Sequence, residues 1–224
     1  MQRDTTRLSL KHGDVYISNF YSEDDLAYAV AELTDAYNND EGVESFLRGV
    51  RLDRKSGYVT IQDEIKLNGT NDMYWFAHTD ADIDISADGK SATLTKNGKK
   101  IKAFIVNGDS ATFSVMDAKP MATSPQVPDQ DAIPENVKKL TIHIDECSGI
   151  DLCVVLATSG LSIDSYEYSS ISEWLHEGDT TKQTVIKPEP VAQEGCSASI
   201  GFGALASVAS LAFAGAVVVS KKRK

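Results

Sequence analysis

The side chains able to bind a metal or transfer a proton are few and widely spaced. The four histidines do not cluster: they are His12, His78, His143 and His176. No HExxH, HxH or Cys/His group is present, so local spacing predicts no zinc site and no catalytic residue. His78 follows an aromatic run and is expected to pack within a sheet. His143 alternates with Ile142 and Ile144, which places it on the opposite, solvent-facing side of a strand.

An acidic run begins like a calcium-binding loop. Asp80, Asp82 and Asp84 have the spacing of the first ligands of an EF-hand. The sixth position is then Ile85 where glycine is needed, and the twelfth is Ser91 where glutamate is needed. Alternating polar and apolar residues are also typical of a strand with one solvated face. We therefore expect a strand here and no calcium site.

The three cysteines suggest two covalent modifications. Cys147 and Cys153 flank a Ser-Gly turn between two apolar runs. Outside the cell such a pair can close a small disulfide loop, and two free thiols are the alternative. Cys196 directly precedes a long uncharged run, so it is a candidate for modification at a membrane interface; an unmodified cysteine is the alternative.

One basic cluster is the candidate for binding an anionic substrate. Arg48, Arg51, Arg54 and Lys55 lie close together in the sequence. Arg48 and Arg54 share strand parity, so a single strand would direct both to one face. A solvated sheet face is the alternative interpretation, because charge runs usually have that role.

Composition excludes several classes of protein. The chain has 224 residues, a net charge of −11 and 42% hydrophobic residues, which is ordinary for a globular protein and excludes intrinsic disorder. Residues 1–195 carry 18 basic and 33 acidic side chains. A body this acidic repels phosphate backbones, so no nucleic-acid partner is expected.

Turn signals and period-two alternation predict an all-β fold, an antiparallel β-sandwich rich in meanders. Asp-Gly at 88–89 and Asn-Gly at 97–98 and 107–108 indicate tight hairpins. They predict a four-strand meander over 83–86, 91–95, 100–106 and 111–116. Further strands are predicted over 15–20, 46–53, 58–67, 74–78, 140–145 and 152–157. The segment 25–37 fits either a helix or a strand.

Four regions follow along the chain. We expect a β-sandwich domain over 1–157, an irregular segment and stalk over 158–195, a transmembrane helix over 196–220 and a basic cytoplasmic tail over 221–224. The run 197–220 carries no charge and has the length of a membrane span. The Lys-Lys-Arg-Lys end then places the acidic body outside the cytoplasm, as on a bacterial surface. Because the N-terminus has no export signal, we expect a truncated product rather than a tail-anchored protein.

Several stretches resemble a known family. They are AYAVAELTDAY (27–37), FLRGVRLDRKSGYVTIQDEIKL (46–67) and YWFAHTDADIDISADGKSATLTKNGKKIKAFI (74–105). Their order and spacing resemble the C-terminal β-sandwich of heparinase II/III-like polysaccharide lyases. The resemblance covers about a third of the chain and favours a strand over 25–37.

The resemblance implies descent from enzymes that cleave uronate-containing polysaccharides by β-elimination. In that family the catalytic Tyr and His come mainly from an N-terminal α/α toroid, and some members bind zinc or another divalent metal. No family catalytic residue or metal ligand maps onto this chain, so we expect no cofactor in it and no activity from it alone. It is then the C-terminal part of a surface-anchored lyase whose partner is an acidic polysaccharide. The alternative is a non-catalytic, membrane-anchored module that is accessory or contacts glycans.

Overall fold

The part of the chain that the structure describes forms ten strands and very little helix. A computed structural model describes residues 15–37, 42–108, 110–121, 136–158, 160–174 and 216–220, the last range by its backbone. The strands are β1 (Tyr16–Ser22), β2 (Leu26–Glu32), β3 (Val43–Asp53), β4 (Tyr58–Thr79), β5 (Asp82–Ile85), β6 (Ser91–Lys96), β7 (Lys99–Asn107), β8 (Phe113–Asp117), β9 (Lys138–Thr158) and β10 (Ala216–Ser220). One helical turn, α1 (Thr34–Tyr37), follows β2, and 3₁₀ turns lie at Ile163–Ser165 and Ile171–Trp174.

All ten strands belong to one antiparallel sheet. The main order is β1-β2-β3-β4-β9-β7-β6-β5, with β10 paired to β4 and β8 paired to β9. The prediction of an all-β antiparallel fold is therefore confirmed. The strands form one continuous hydrogen-bonded sheet rather than the two separate sheets of the predicted sandwich.

Two long strands bend and divide this sheet into two halves. β4 and β9 have 22 and 21 residues, and their pairing shifts register between Lys66 and Met73. At the bend Gly149 has φ +155°, and a Cβ there would lie 2.5 Å from the Ile65 carbonyl oxygen. Only glycine allows this close approach of β9 to β4. Each long strand was predicted as two separate strands, and the turn expected near Gly149 is this bend.

The two halves enclose one hydrophobic core. Its cluster includes Phe46 and Ile65 from the first half and Trp75 and Ile142 from the second. The far ends of the halves also meet, since the Phe113 backbone N–H donates to the Gly89 carbonyl at 2.8 Å. Alternate residues of a strand point to the same face, so the strands of both halves bury every second side chain in this core.

The predicted hairpins form at two of their three positions. β5 pairs with β6 across Asp88-Gly89, and β6 pairs with β7 across Asn97-Gly98. The third hairpin prediction was wrong, because β8 pairs with β9 and not with β7. Gly108, at φ +132°, instead directs the chain from the first half of the sheet to the second. The segment 25–37 is mainly strand, as the resemblance favoured.

A covering segment, residues 160–174, packs on the outer face of the first half. Ile171 and Trp174 are buried against Tyr28 and Val30. The Tyr58 hydroxyl donates to the Ser162 carbonyl at 2.5 Å. This segment lies within the range predicted as an irregular segment and stalk, and it is irregular in backbone yet well packed. The four-region division itself stays a prediction.

The predicted transmembrane helix differs from the structure at its last five residues. Ala216–Ser220 form β10, which pairs antiparallel with Asp72–Phe76 of β4. Three consecutive valines explain the difference, because β-branched side chains favour strands. Residues 196–215 of the predicted span and the tail 221–224 lie outside the described residues. Within the part of the chain that the structure describes, no helix is long and apolar enough to cross a bilayer.

Candidate functional site

One group of metal-ligating side chains converges among the described residues. It consists of Asp72 on β4 and His143 and Asp145 on β9, and we call it the Asp-His-Asp group. The ligand atoms of all three lie within 4.8 Å of one another. Asp72 is half-buried, whereas His143 and Asp145 are exposed, as was expected for His143.

The pairing of two bent strands creates this group. Tyr74 of β4 is the direct cross-strand partner of His143 of β9. Asp72 lies two residues before Tyr74, and Asp145 lies two residues after His143. Residues two apart on a strand share a face, so antiparallel pairing brings the two carboxylates side by side, next to the imidazole.

Neighbouring groups restrict the side chains of the site. The rings of Tyr74 and His143 stack with centroids 4.1 Å apart and planes 6° apart. The Asp72 carboxylate accepts a hydrogen bond from the Glu146 backbone N–H at 3.3 Å. An imidazole held beside two carboxylates offers one nitrogen and up to four oxygens, a donor set suited to a divalent metal ion.

An open groove begins at Asp145 and follows the bend of the sheet. Its volume is about 650 Å³, and Lys66, Asn107, Ser110 and Asp151 are among the residues that line it. Its charged side chains are mostly acidic. The groove thus favours hydroxyl-bearing or cationic ligands over anionic ones.

Arg48, predicted as a weak substrate-binding residue, is engaged inside the protein. Its guanidinium donates to both carboxylate oxygens of Asp63, from Nε at 2.6 Å and from Nη2 at 2.8 Å. The Asp63 side chain is only 1% exposed. Burial raises the pKa of the Asp63 carboxyl more than the Arg48 guanidinium lowers it. The two side chains form a structural ion pair within the sheet.

Arg54, the second predicted substrate-binding residue, does not join Arg48. It is exposed just after β3, where its Nε donates to the Glu23 carbonyl at 3.3 Å. The neighbouring Lys55 binds the Asp25 carboxylate at 2.6 Å. The strand parity that relates Arg48 and Arg54 in the sequence therefore does not place them in one anion-binding surface.

Of the two alternatives for Cys147 and Cys153, a disulfide or two free thiols, the structure shows the free thiols. Both residues lie on the single strand β9 rather than on two strands joined by a turn. Cys147 packs on the main core, whereas Cys153 packs under the covering segment on the other face. Six residues of extended strand span about 20 Å, well beyond the reach of a disulfide. Cys196 lies outside the described residues.

Sequence reasoning missed the Asp-His-Asp group for a physical reason. His143 and Asp145 have period-two spacing, which is visible in the sequence. Asp72 is 71 residues away from His143 along the chain, and only the pairing of β4 with β9 brings it close. A search of each predicted strand face for a His-x-Asp pair would have found two of the three residues.

Comparisons with known proteins add little. No family model matches the chain, and no curated protein matches it. Among solved structures, the chain is similar to heparinase III with a TM-score of 0.46 and 14% sequence identity. That match covers 70% of this chain and 25% of the solved one, so the chain spans about a quarter of the length of heparinase III.

Proposed function

We propose that this chain is the C-terminal β-domain of a polysaccharide lyase related to heparinases II and III. In this proposal a toroidal catalytic domain elsewhere in the parent protein performs the β-elimination, and the β-domain supports it. The substrate is a uronate-containing, acidic polysaccharide. The chain alone is inactive, and the described residues supply no catalytic cluster of the family kind.

One observation carries this proposal. The three stretches that resemble the lyase family, 27–37, 46–67 and 74–105, fall on β2 to β7 and on the connections between them. β2, β3 and β4 are consecutive neighbours in the sheet, and β5, β6 and β7 are also consecutive neighbours. The resemblance thus follows paired strands rather than scattered segments, which is the pattern that a shared domain would leave.

We also propose that the uncharged run tethers the protein to a membrane, with the acidic body outside the cytoplasm. The absence of charge over 197–220 and the basic end support this. Membrane insertion of the whole run would withdraw β10 from the edge of β4. Sheet pairing and membrane insertion therefore compete for the same five residues.

A non-catalytic, glycan-contacting module is the second candidate function. The stacked Tyr74 and His143 rings next to two carboxylates favour it, because aromatic faces and carboxylates suit the CH and OH groups of sugars. This acidic surface would prefer neutral glycans. Affinity electrophoresis in gels containing neutral or acidic polysaccharides shows which of the two kinds of glycan the protein binds.

The size and location of the native product test the lyase proposal. An antibody raised against residues 42–108 is used to blot soluble and membrane fractions of the native source. The proposal expects a membrane-bound band much heavier than 24.3 kDa. A band near 24.3 kDa would contradict the lyase proposal and leave the glycan-contacting module. A heavier band in the soluble fraction alone would contradict the tether.

A further inference from the structure

We propose that Asp72, His143 and Asp145 bind a divalent transition-metal ion of the zinc class at the bend of the sheet. The three residues contribute one imidazole nitrogen and two carboxylate oxygens. The remaining coordination position is open to water or to a ligand hydroxyl.

The geometry requires only small side-chain adjustments. Zinc bonds of about 2.0–2.1 Å in a tetrahedron place neighbouring ligand atoms about 3.3 Å apart. In the Asp-His-Asp group the ligand atoms already lie within 4.8 Å of one another. Rotation about the side-chain torsions of the exposed Asp145 brings its carboxylate toward the other two ligands, while His143 keeps its stack on Tyr74.

Neighbouring residues hold the side chains of the group. Asp72 and Asp145 approach from adjacent strands, so their carboxylates can bind one cation from two sides. The stacked Tyr74 ring restricts His143, and the Glu146 N–H orients the Asp72 carboxylate. Such outer contacts reduce the entropy lost when a metal binds.

The donor set selects the class of ion. Imidazole suits zinc, nickel, cobalt and copper, whereas calcium and magnesium prefer oxygen ligands alone. One imidazole with two carboxylates therefore predicts zinc-class binding that calcium does not displace. Asp145, one of the three ligands, also lines the open groove.

The site does not depend on the lyase proposal. Asp72 lies between two of the stretches that resemble the family, and His143 and Asp145 lie beyond the last of them. No part of the resemblance assigns these residues a role. The metal test can therefore fail while the lyase proposal stands, and the reverse also holds.

The test is zinc binding to the purified full chain, solubilised in detergent if the tail requires it. After removal of metal by a chelator, equilibrium dialysis against Zn²⁺ near neutral pH measures stoichiometry and affinity. We expect one saturable site in the wild type. His143→Gln and Asp145→Asn should each weaken it at least about tenfold. His78→Gln is the matched control, because His78 lies on the same part of the sheet outside the group, and it should bind like the wild type.

Several outcomes would overturn the proposal. They are the absence of saturable zinc binding by the wild type, unchanged zinc binding by His143→Gln, and displacement of zinc by a modest excess of calcium. The last would indicate a nonselective carboxylate surface. Thermal unfolding in chelator checks the fold, and exposed substitutions should leave it nearly unchanged. Zinc should raise the unfolding temperature of the wild type and the control, but not that of His143→Gln.

Discussion

At the scale of single residues, burial determines the chemistry of the side chains that attract most attention in the sequence. Arg48 belongs to an internal ion pair with Asp63. Cys153 is buried, and the loss of solvation raises its thiol pKa to about 12. Neither residue is available for binding or covalent chemistry at the surface. The exposed residues of the Asp-His-Asp group, His143 and Asp145, have no conspicuous motif around them.

The cysteines give a first prediction. Native protein treated with iodoacetamide at mildly alkaline pH should leave Cys153 unmodified, because its thiol remains protonated and buried. Cys147 is only partly buried, and burial also raises its thiol pKa, so it should react slowly. Mass spectrometry, with a second isotopic label added after denaturation, measures both. Rapid labelling of Cys153, or a Cys147–Cys153 crosslink after mild oxidation, would contradict the structure.

The Arg48–Asp63 pair gives a second prediction. Asp63→Asn should lower the free energy of unfolding by about 3–5 kcal/mol, because it leaves a buried guanidinium without its counterion. The double variant Arg48→Met/Asp63→Leu should regain most of that loss, since neither charge then needs solvation. Urea unfolding measures both. If the double variant loses as much free energy of unfolding as its two single variants lose in total, the ion pair has no such role.

His78 gives a prediction of pH dependence. Burial and the nearby charge of Lys139 lower the His78 pKa. In the unfolded chain this histidine binds a proton at about pH 6.5, whereas in the folded chain it does so only at lower pH. The free energy of unfolding therefore falls as the pH drops below about 6.5. Urea unfolding at about pH 7.5 and below about pH 6 measures the change in the free energy of unfolding. This free energy should fall less for His78→Gln than for the wild type. Equal losses would contradict the assignment.

At the scale of elements, two of the three local turn signals formed the predicted hairpins, whereas the pairing of strands distant in the sequence was not predicted. The hairpins of β5, β6 and β7 depend on turn residues that neighbour each other in the chain, and they formed as predicted. The continuity of β4 and β9 across the bend, and the pairing of β8 with β9, depend on contacts between distant segments. Period-two alternation marks a strand and its faces, but it does not identify the partner strand.

The covering segment gives a prediction at this scale. A Cβ on Gly49 would lie 2.5 Å from an atom of the Trp174 ring. Gly49→Ala should therefore displace Trp174 and lower stability. Trp174→Ala should cost about 3–5 kcal/mol through the loss of a large buried side chain.

A double-mutant cycle identifies the contact. In the variant Trp174→Leu the additional cost of Gly49→Ala should be small, because the smaller side chain leaves room for the new methyl group. Urea unfolding of the four proteins measures the coupling. An equal cost of Gly49→Ala with either residue at position 174 would contradict the packing of the covering segment.

At the scale of the whole molecule, an acidic antiparallel sheet with a bent centre supports two roles. The sheet provides the strands on which the Asp-His-Asp group is placed, and in the proposed function it is one domain of a larger lyase. The fold class followed from the sequence because alternation and turns are local properties. The site did not, because Asp72 and His143 meet only through long-range pairing.

Lyase activity of the native protein tests the central claim most directly. Native protein captured with the antibody against residues 42–108 and this chain purified alone are each incubated with uronate-containing polysaccharides. Absorbance of the unsaturated uronate reports β-elimination. The account predicts activity in the captured native protein and none in the chain alone. Cleavage by the chain alone, or a captured protein that cleaves none of these substrates, would contradict it.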